Sequence, residues 1–199
     1  MSWILRSPTS GCHLYSINTT TGAATLIGGG FSGLNALVFS SAGTLYAAGG
    51  TSFFTLNTAT GAATLVGSMG SSASAGDLAF HNGDLFLSST AGNLVRINPA
   101  TGAGTIIGWM GPAADAFGLA NGDDNVLYAV NGTNVYSVNT ATGASTLAVG
   151  YSGAIGFANG TAFIQEAGPP PISGVPEPAS LALLALGLAG IGFSRRKHA

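Results

Sequence analysis

"FFTLNTATGAATLVGS", residues 53–68, decides how the rest of the chain is read. A β-rich run, FFTLN, meets the polar tetrad TATG and gives way to a second β-rich run, AATLVG. Asn57 at the entry can bond its own downstream backbone, and Gly61 at the exit accepts a positive φ without a Cβ clash. The stretch is therefore two strands around a tight structural turn rather than a ligand loop. Three more copies stand in the chain: LYSINTTTGAATLIGG from Leu14, LVRINPATGAGTIIGW from Leu94 and VYSVNTATGASTLAVG from Val135. The turns fall near 18–22, 57–61, 98–102 and 139–143, and their glycines, Gly22, Gly61, Gly102 and Gly143, are spaced by 39, 41 and 41 residues. Regularity of that kind is the mark of a repeat architecture.

Between the copies sits a second hairpin: LNALVFSSAGTLYAAGG, GDLAFHNGDLFLSST, FGLANGDDNVLYAVNG and, after the last copy, AIGFANGTAFIQEAG. The Asn-Gly pairs at Asn82-Gly83, Asn121-Gly122 and Asn159-Gly160 are strong hairpin signals between apolar runs. Each period thus holds four short antiparallel strands, the composition of a β-propeller blade. The expected fold is all-β, a β-propeller-like array over residues 1–167. The chain opens with the second hairpin of a unit (14–28), runs through three complete units (33–67, 74–108 and 115–150) and adds a first hairpin (153–165). Pairing of the terminal hairpins would close about four blades into a ring without open sheet edges. Two alternatives stay open: the C-terminal part of a larger propeller, and an open array or β-sandwich.

Composition supports a packed core and narrows the partners. Apolar residues make up 46% of the 199 residues and charged residues only 6%, the reverse of a disordered chain. Residues 1–178 carry two basic side chains, Arg6 and Arg96, against Asp77, Asp84, Asp115, Asp123, Asp124, Glu166 and Glu177. That balance repels phosphate backbones, so no nucleic-acid partner is expected. The single cysteine, Cys12, excludes a disulfide within the chain and any Cys-based metal cluster.

The C-terminal stretch differs in kind. Residues 168–178 form a proline-rich linker, GPPPISGVPEP, that holds the chain extended. Ala179 to Phe193 is uncharged, and Arg195, Arg196 and Lys197 close it. As a helix this segment would measure about 22 Å, short of a hydrocarbon core of about 30 Å. Its apolar residues, Ala179, Leu181, Leu183, Leu184, Leu186, Leu188, Ile191 and Phe193, leave no polar face for a surface position. A single-span anchor with the basic cluster kept on the cytoplasmic side is one option, and a sorting tail that is inserted briefly and then processed fits the shortness better.

These residues carry a family resemblance. Pro176-Glu177-Pro178, the hydrophobic helix 179–193 and the basic end 195–197, in that order over residues 176–199, resemble the PEP-CTERM sorting signal of Gram-negative bacteria. The resemblance implies recognition by a membrane-embedded exosortase, cleavage near Pro-Glu-Pro, transient membrane contact through the helix and a final place at the cell surface or outside the cell, in association with extracellular polysaccharide. It covers the tail and says nothing of activity in the repeats. Proteins with this tail are expected to carry an N-terminal export signal. The opening MSWILRSPTSGCH offers only WIL as an apolar core, so the start of the gene is expected upstream of Met1.

Candidates for chemistry in the repeats are sparse. Cys12 and His13 are adjacent, and neighbours on a strand point to opposite faces, so they would not pair as nucleophile and base. His81 and Asp84 flank the Asn82-Gly83 turn and read as solvated turn residues. The GDDN segment, 122–125, offers two carboxylates but lacks the spacing of a calcium loop. Tyr46, Phe86 and Tyr128 recur in the same strand of each unit and read as a core layer between blades. Trp109 and Tyr151 are the aromatics suited to stacking on sugar rings. Asn18, Asn131 and Asn159 begin N-x-T triplets that read as hairpin turns. The expectation is a non-catalytic structural or binding protein with no catalytic residues, no metal and no cofactor. The alternative is a secreted propeller enzyme acting on extracellular polysaccharide, which would need two carboxylates converging in a cleft.

Overall fold

The computed structural model describes the backbone of residues 2–6 and all of residues 11–151. Fifteen strands and one short 3₁₀ turn make up this part. Three sheets have four strands each, antiparallel and joined in chain order: β4 (Ala36–Phe39) to β7 (Ala63–Ser68), β8 (Ser74–His81) to β11 (Gly104–Trp109), and β12 (Gly118–Asn121) to β15 (Ser145–Gly150). These are units 2, 3 and 4, and they coincide with the three complete repeats expected from the sequence. Unit 1 has three strands, β1 (Ser2–Arg6), β2 (Cys12–Ile17) and β3 (Ala24–Phe31). The sequence reading began this unit with the 14–28 hairpin alone. In the structure SWILR adds a strand whose register runs from Ser2 opposite Ile17 to Arg6 opposite His13. The hairpin at 153–165, the ring closure built on it, the Asn159-Gly160 turn, the linker and the helix 179–193 all lie outside the described residues.

The first strands of the complete units pack in series, β8 lying against β4 and β5 on one side and against β12 on the other. The apolar core is divided accordingly, one cluster to each boundary between units. Leu14 joins Leu34, Leu45, Ala47 and Leu56 between units 1 and 2. Phe53 and Ala48 join Leu78, Leu85 and Leu87 between units 2 and 3, and Phe86 and Leu94 join Leu119, Leu127 and Tyr136 between units 3 and 4. Tyr46 stacks on Phe53 at 5.3 Å between ring centroids and approaches Phe80 of unit 3 at 6.1 Å. Burying a side chain of this size contributes about 1.5–3 kcal/mol, so these clusters dominate the cohesion between neighbouring units.

The repeated turns form as their residues dictate. In each, Asn18, Asn57, Asn98 or Asn139 accepts a backbone N–H on its Oδ1 from the residue two positions on, at 2.9 Å. The closing glycines have φ between 72° and 80°. Each outer strand also carries a β-bulge against its neighbour, with Ile27, Val66, Ile107 and Ala148 as the extra residues. The first three turn inward onto the core clusters. The residue after each bulge is Gly28, Gly67, Gly108 or Val149.

The three glycines serve the contact between units. A Cβ at Gly28 would stand 2.1 Å from the Thr60 carbonyl oxygen, at Gly67 2.0 Å from that of Thr101, and at Gly108 2.1 Å from that of Thr142. The turn of each following unit is therefore seated, backbone on backbone, on the outer strand of the unit before it. Gly61, Gly102 and Gly143 are buried there, while Gly22 of the first turn is exposed.

Candidate functional site

Polar chemistry collects where the β8–β9 and β12–β13 turns meet. Asn82 and Gly83 take φ of 51° and 85°, the tight two-residue turn expected of Asn-Gly. The second turn departs from expectation. Asn121 ends β12, and residues 122–126 form a longer loop closed by Gly122 N–H donating to the Val126 carbonyl at 2.8 Å. Asn125, at φ 59°, is the left-handed residue of this loop. The longer loop makes room for Asp124, whose Oδ1 accepts from Val126 N–H and whose Oδ2 accepts from the Tyr128 hydroxyl at 2.7 Å. This hydrogen bond raises the Tyr128 hydroxyl above its ordinary 10.0, with desolvation and the Asp124 charge adding to it.

His81 is not the solvated turn residue read from the sequence: it is 8% exposed. Its Nδ1 lies 2.7 Å from Asn121 Oδ1 and its Nε2 3.0 Å from Asn82 Nδ2, a network satisfied when Nδ1–H donates and Nε2 accepts. Asn125 Nδ2 donates to Asn82 Oδ1 at 2.8 Å and completes a bridge between units 3 and 4. A second bridge lies in the first strands, where Asp77 Oδ2 accepts from Leu119 N–H at 2.8 Å. Both act across a separation of about one repeat, which single-chain spacing did not signal.

Beside the loop, Gly122, Asp123, Asp124, Tyr128, Val135, Ala148 and Val149 line an open groove of about 480 Å³. Its floor is apolar and two carboxylates stand on its rim. Tyr128 belongs to the aromatic series expected between blades. Phe86 is buried and Tyr46 is packed against unit 3 as expected, whereas Tyr128 faces this groove, on the side of unit 4 away from unit 3. Trp109, at the end of β11, is 65% exposed, and Tyr151 donates its hydroxyl to the Gly132 carbonyl at 2.6 Å.

The other candidates are kept apart. Cys12 is buried and its thiol donates to the Leu34 carbonyl, while His13 on the alternate face of β2 approaches the Gly11 carbonyl. Asp84 forms an exposed ion pair with Arg96 at 3.7 Å. Among the described residues no three His, Cys, Asp or Glu side chains are grouped to hold a metal, and no helix is long and apolar enough to cross a membrane. Pro176, Glu177, Pro178, the apolar residues of 179–193 and Arg195, Arg196 and Lys197 lie outside the described residues.

Comparison with known proteins bears on the two parts separately. Residues 174–197 match the model of the PEP-CTERM protein-sorting motif, so the tail read from Pro176-Glu177-Pro178 and the basic end is present. A motif of this kind implies exosortase processing and export by membrane-associated sorting. No curated protein matches the chain. Among solved structures, the calcium-binding protein regucalcin from Agrobacterium tumefaciens strain C58 is 19% identical, with 77% of this chain and 56% of that chain covered at a TM-score of 0.50. Virginiamycin B lyase from Staphylococcus aureus is 16% identical, with 73% and 50% covered at 0.48. The chain spans about half the length of these solved structures. At such identities the likeness concerns the fold, which is propeller-like.

Proposed function

We propose that this chain is an exported, non-catalytic structural or binding protein of the cell surface or extracellular matrix, delivered there by exosortase processing of its C-terminal tail. The observation that carries the proposal is the match of residues 174–197 to the sorting motif. The repeats supply the cargo. They are rich in uncharged Thr, Asn and Gly, and the chain has few charged groups. Neutral hydroxyl and amide groups suit contact with polysaccharide; exposed Trp109 offers an aromatic face and, at a separate place, Asp124 and Tyr128 offer hydrogen-bonding groups.

Expression of the full chain, behind an export signal, in hosts with and without exosortase tests the address. The expected result is a shortened product at the surface or in the medium only when exosortase is present, and full-length membrane-associated protein when Glu177 is changed to Ala. A product of the same size and place in both hosts would overturn the proposal. Co-sedimentation with extracellular polysaccharide tests the binding role separately: Trp109→Ala should weaken retention, and a protein that never sediments with any polysaccharide would remove that role while leaving the sorting result intact.

A further inference from the structure

Among the described residues the docking of a turn on an outer strand is made three times, and the outer strand of unit 4 departs from it. Leu14, Phe53, Leu94 and Val135 are equivalent positions, and their partners across the sheet are Gly28, Gly67, Gly108 and Val149. The first three partners each receive a turn of the next unit, with the carbonyl oxygens of Thr60, Thr101 and Thr142 occupying the space a Cβ would take. The fourth unit inverts the pattern. Where the others carry a large inward bulge residue followed by glycine, it carries small Ala148 followed by Val149, and Val149 is 56% exposed.

At the other end, the Asn18–Gly22 turn has the same internal bonds as the three seated turns, with Thr20 and Thr21 N–H donating to Asn18 Oδ1. Among the described residues nothing lies within 4 Å of the Cβ position of Gly22. Among the described residues one turn is thus unseated and one outer strand unoccupied, the two halves of a contact made three times between neighbouring units. Left complementary, such surfaces join copies head to tail, because the contact is heterologous.

We infer that Val149 is the residue that keeps copies of this chain from joining in this way. Its Cβ stands where the carbonyl of a second copy's first turn would have to lie, and that overlap of about 1 Å or more inside a backbone contact is not relieved by side-chain rotation. The block rests on the Cβ alone, so alanine at 149 should block as well as valine does, and only glycine should open the seat.

The full chain, Val149→Ala and Val149→Gly are compared by light scattering over a concentration series, with hydrogen exchange read at residues 19–22. The tail is common to all three and cancels. Wild type and V149A should share one mass, whereas V149G should form species of at least double that mass, with exchange at the first turn slowed about tenfold or more. Adding Gly22→Ala to V149G should return the mass to that of wild type. Equal mass and equal exchange in wild type and V149G would overturn the inference. So would wild-type protein whose first turn exchanges as slowly as the turns at 57–61 and 98–102. A V149G protein of unchanged mass with a protected first turn would overturn it in favour of closure within one chain.

Discussion

Gly67→Ala sets two glycine effects against each other, and the structure decides the sign. Gly67 has ordinary strand backbone, so alanine there would by itself stabilise by about 0.4–1 kcal/mol through reduced freedom of the unfolded chain. The added methyl, however, would meet the Thr101 carbonyl oxygen at 2.0 Å and the Gly102 Cα at 3.6 Å. Carbon and oxygen settle at about 3.3–3.6 Å, so the turn must retreat by more than about 1 Å. It cannot do so one atom at a time. Asn98 Oδ1 holds Ala100 N–H at 2.9 Å and the Asn98 carbonyl holds Gly102 N–H at 2.8 Å, so the turn moves as a body and leaves its seat. Overpacking of this kind costs about 1–3 kcal/mol, which exceeds the entropic gain. Urea denaturation should show a midpoint lowered by about 1 M for a slope of about 1–3 kcal/mol/M. Gly150→Ala is the control: it too lies in ordinary strand backbone, and among the described residues a Cβ there would meet only the Asn134 side-chain oxygen, at 3.1 Å, so it should be near neutral. If G67A matched G150A, or raised the midpoint, the seating of turns on outer strands would have no energetic content.

The remaining predictions concern the core, the bridge and the groove. Phe53→Ala empties a wholly buried site between units 2 and 3 and removes the stacking partner of Tyr46; a loss of about 3–5 kcal/mol in thermal or urea unfolding is expected. Asn121→Ala deprives buried His81 of its Nδ1 partner and should cost about 1–3 kcal/mol, with faster hydrogen exchange on both sides of the boundary between units 3 and 4; exchange unchanged in both units would contradict the bridge. Ultraviolet titration should find Tyr128 ionising above 10.0, and Asp124→Ala should bring it down. Because the folded-state pKa of Tyr128 is the higher one, its contribution to stability is whole below pH 10.0 and is lost as pH rises through the folded value; in D124A this part of the alkaline loss should disappear.

The sequence makes the three complete sheets legible because turn chemistry and strand alternation recur at one period, and the seated Asn and Gly residues do what their local preferences require. The strand Ser2–Arg6 was not legible: its register matches the other units, with Trp3 opposite Ser16 as Tyr46 is opposite Thr55, Phe86 opposite Arg96 and Tyr128 opposite Ser137, but its sequence shares little with theirs. The Asn121-Gly122 pair misled for a local reason, since Asp124 offers the backbone a longer loop that competes with the two-residue turn. His81 looked solvated because its partner, Asn121, is distant in the chain and brought near only by packing of one sheet on the next. The glycines after the bulges did leave a signal, GGG against V in four aligned copies at 28, 67, 108 and 149. It passes for strand-end composition until the neighbouring backbone is in place.

Every seated turn rests on a strand that precedes it in the chain. A polypeptide threaded through a narrow passage with its first residues leading thus delivers each landing surface before the piece that lands on it, and consolidation can keep pace with emergence, one repeat behind. The outer strand of unit 4, the last among the described residues, offers no such surface. Growth of the stack along this contact consequently has a built-in stop, written in a single methine carbon.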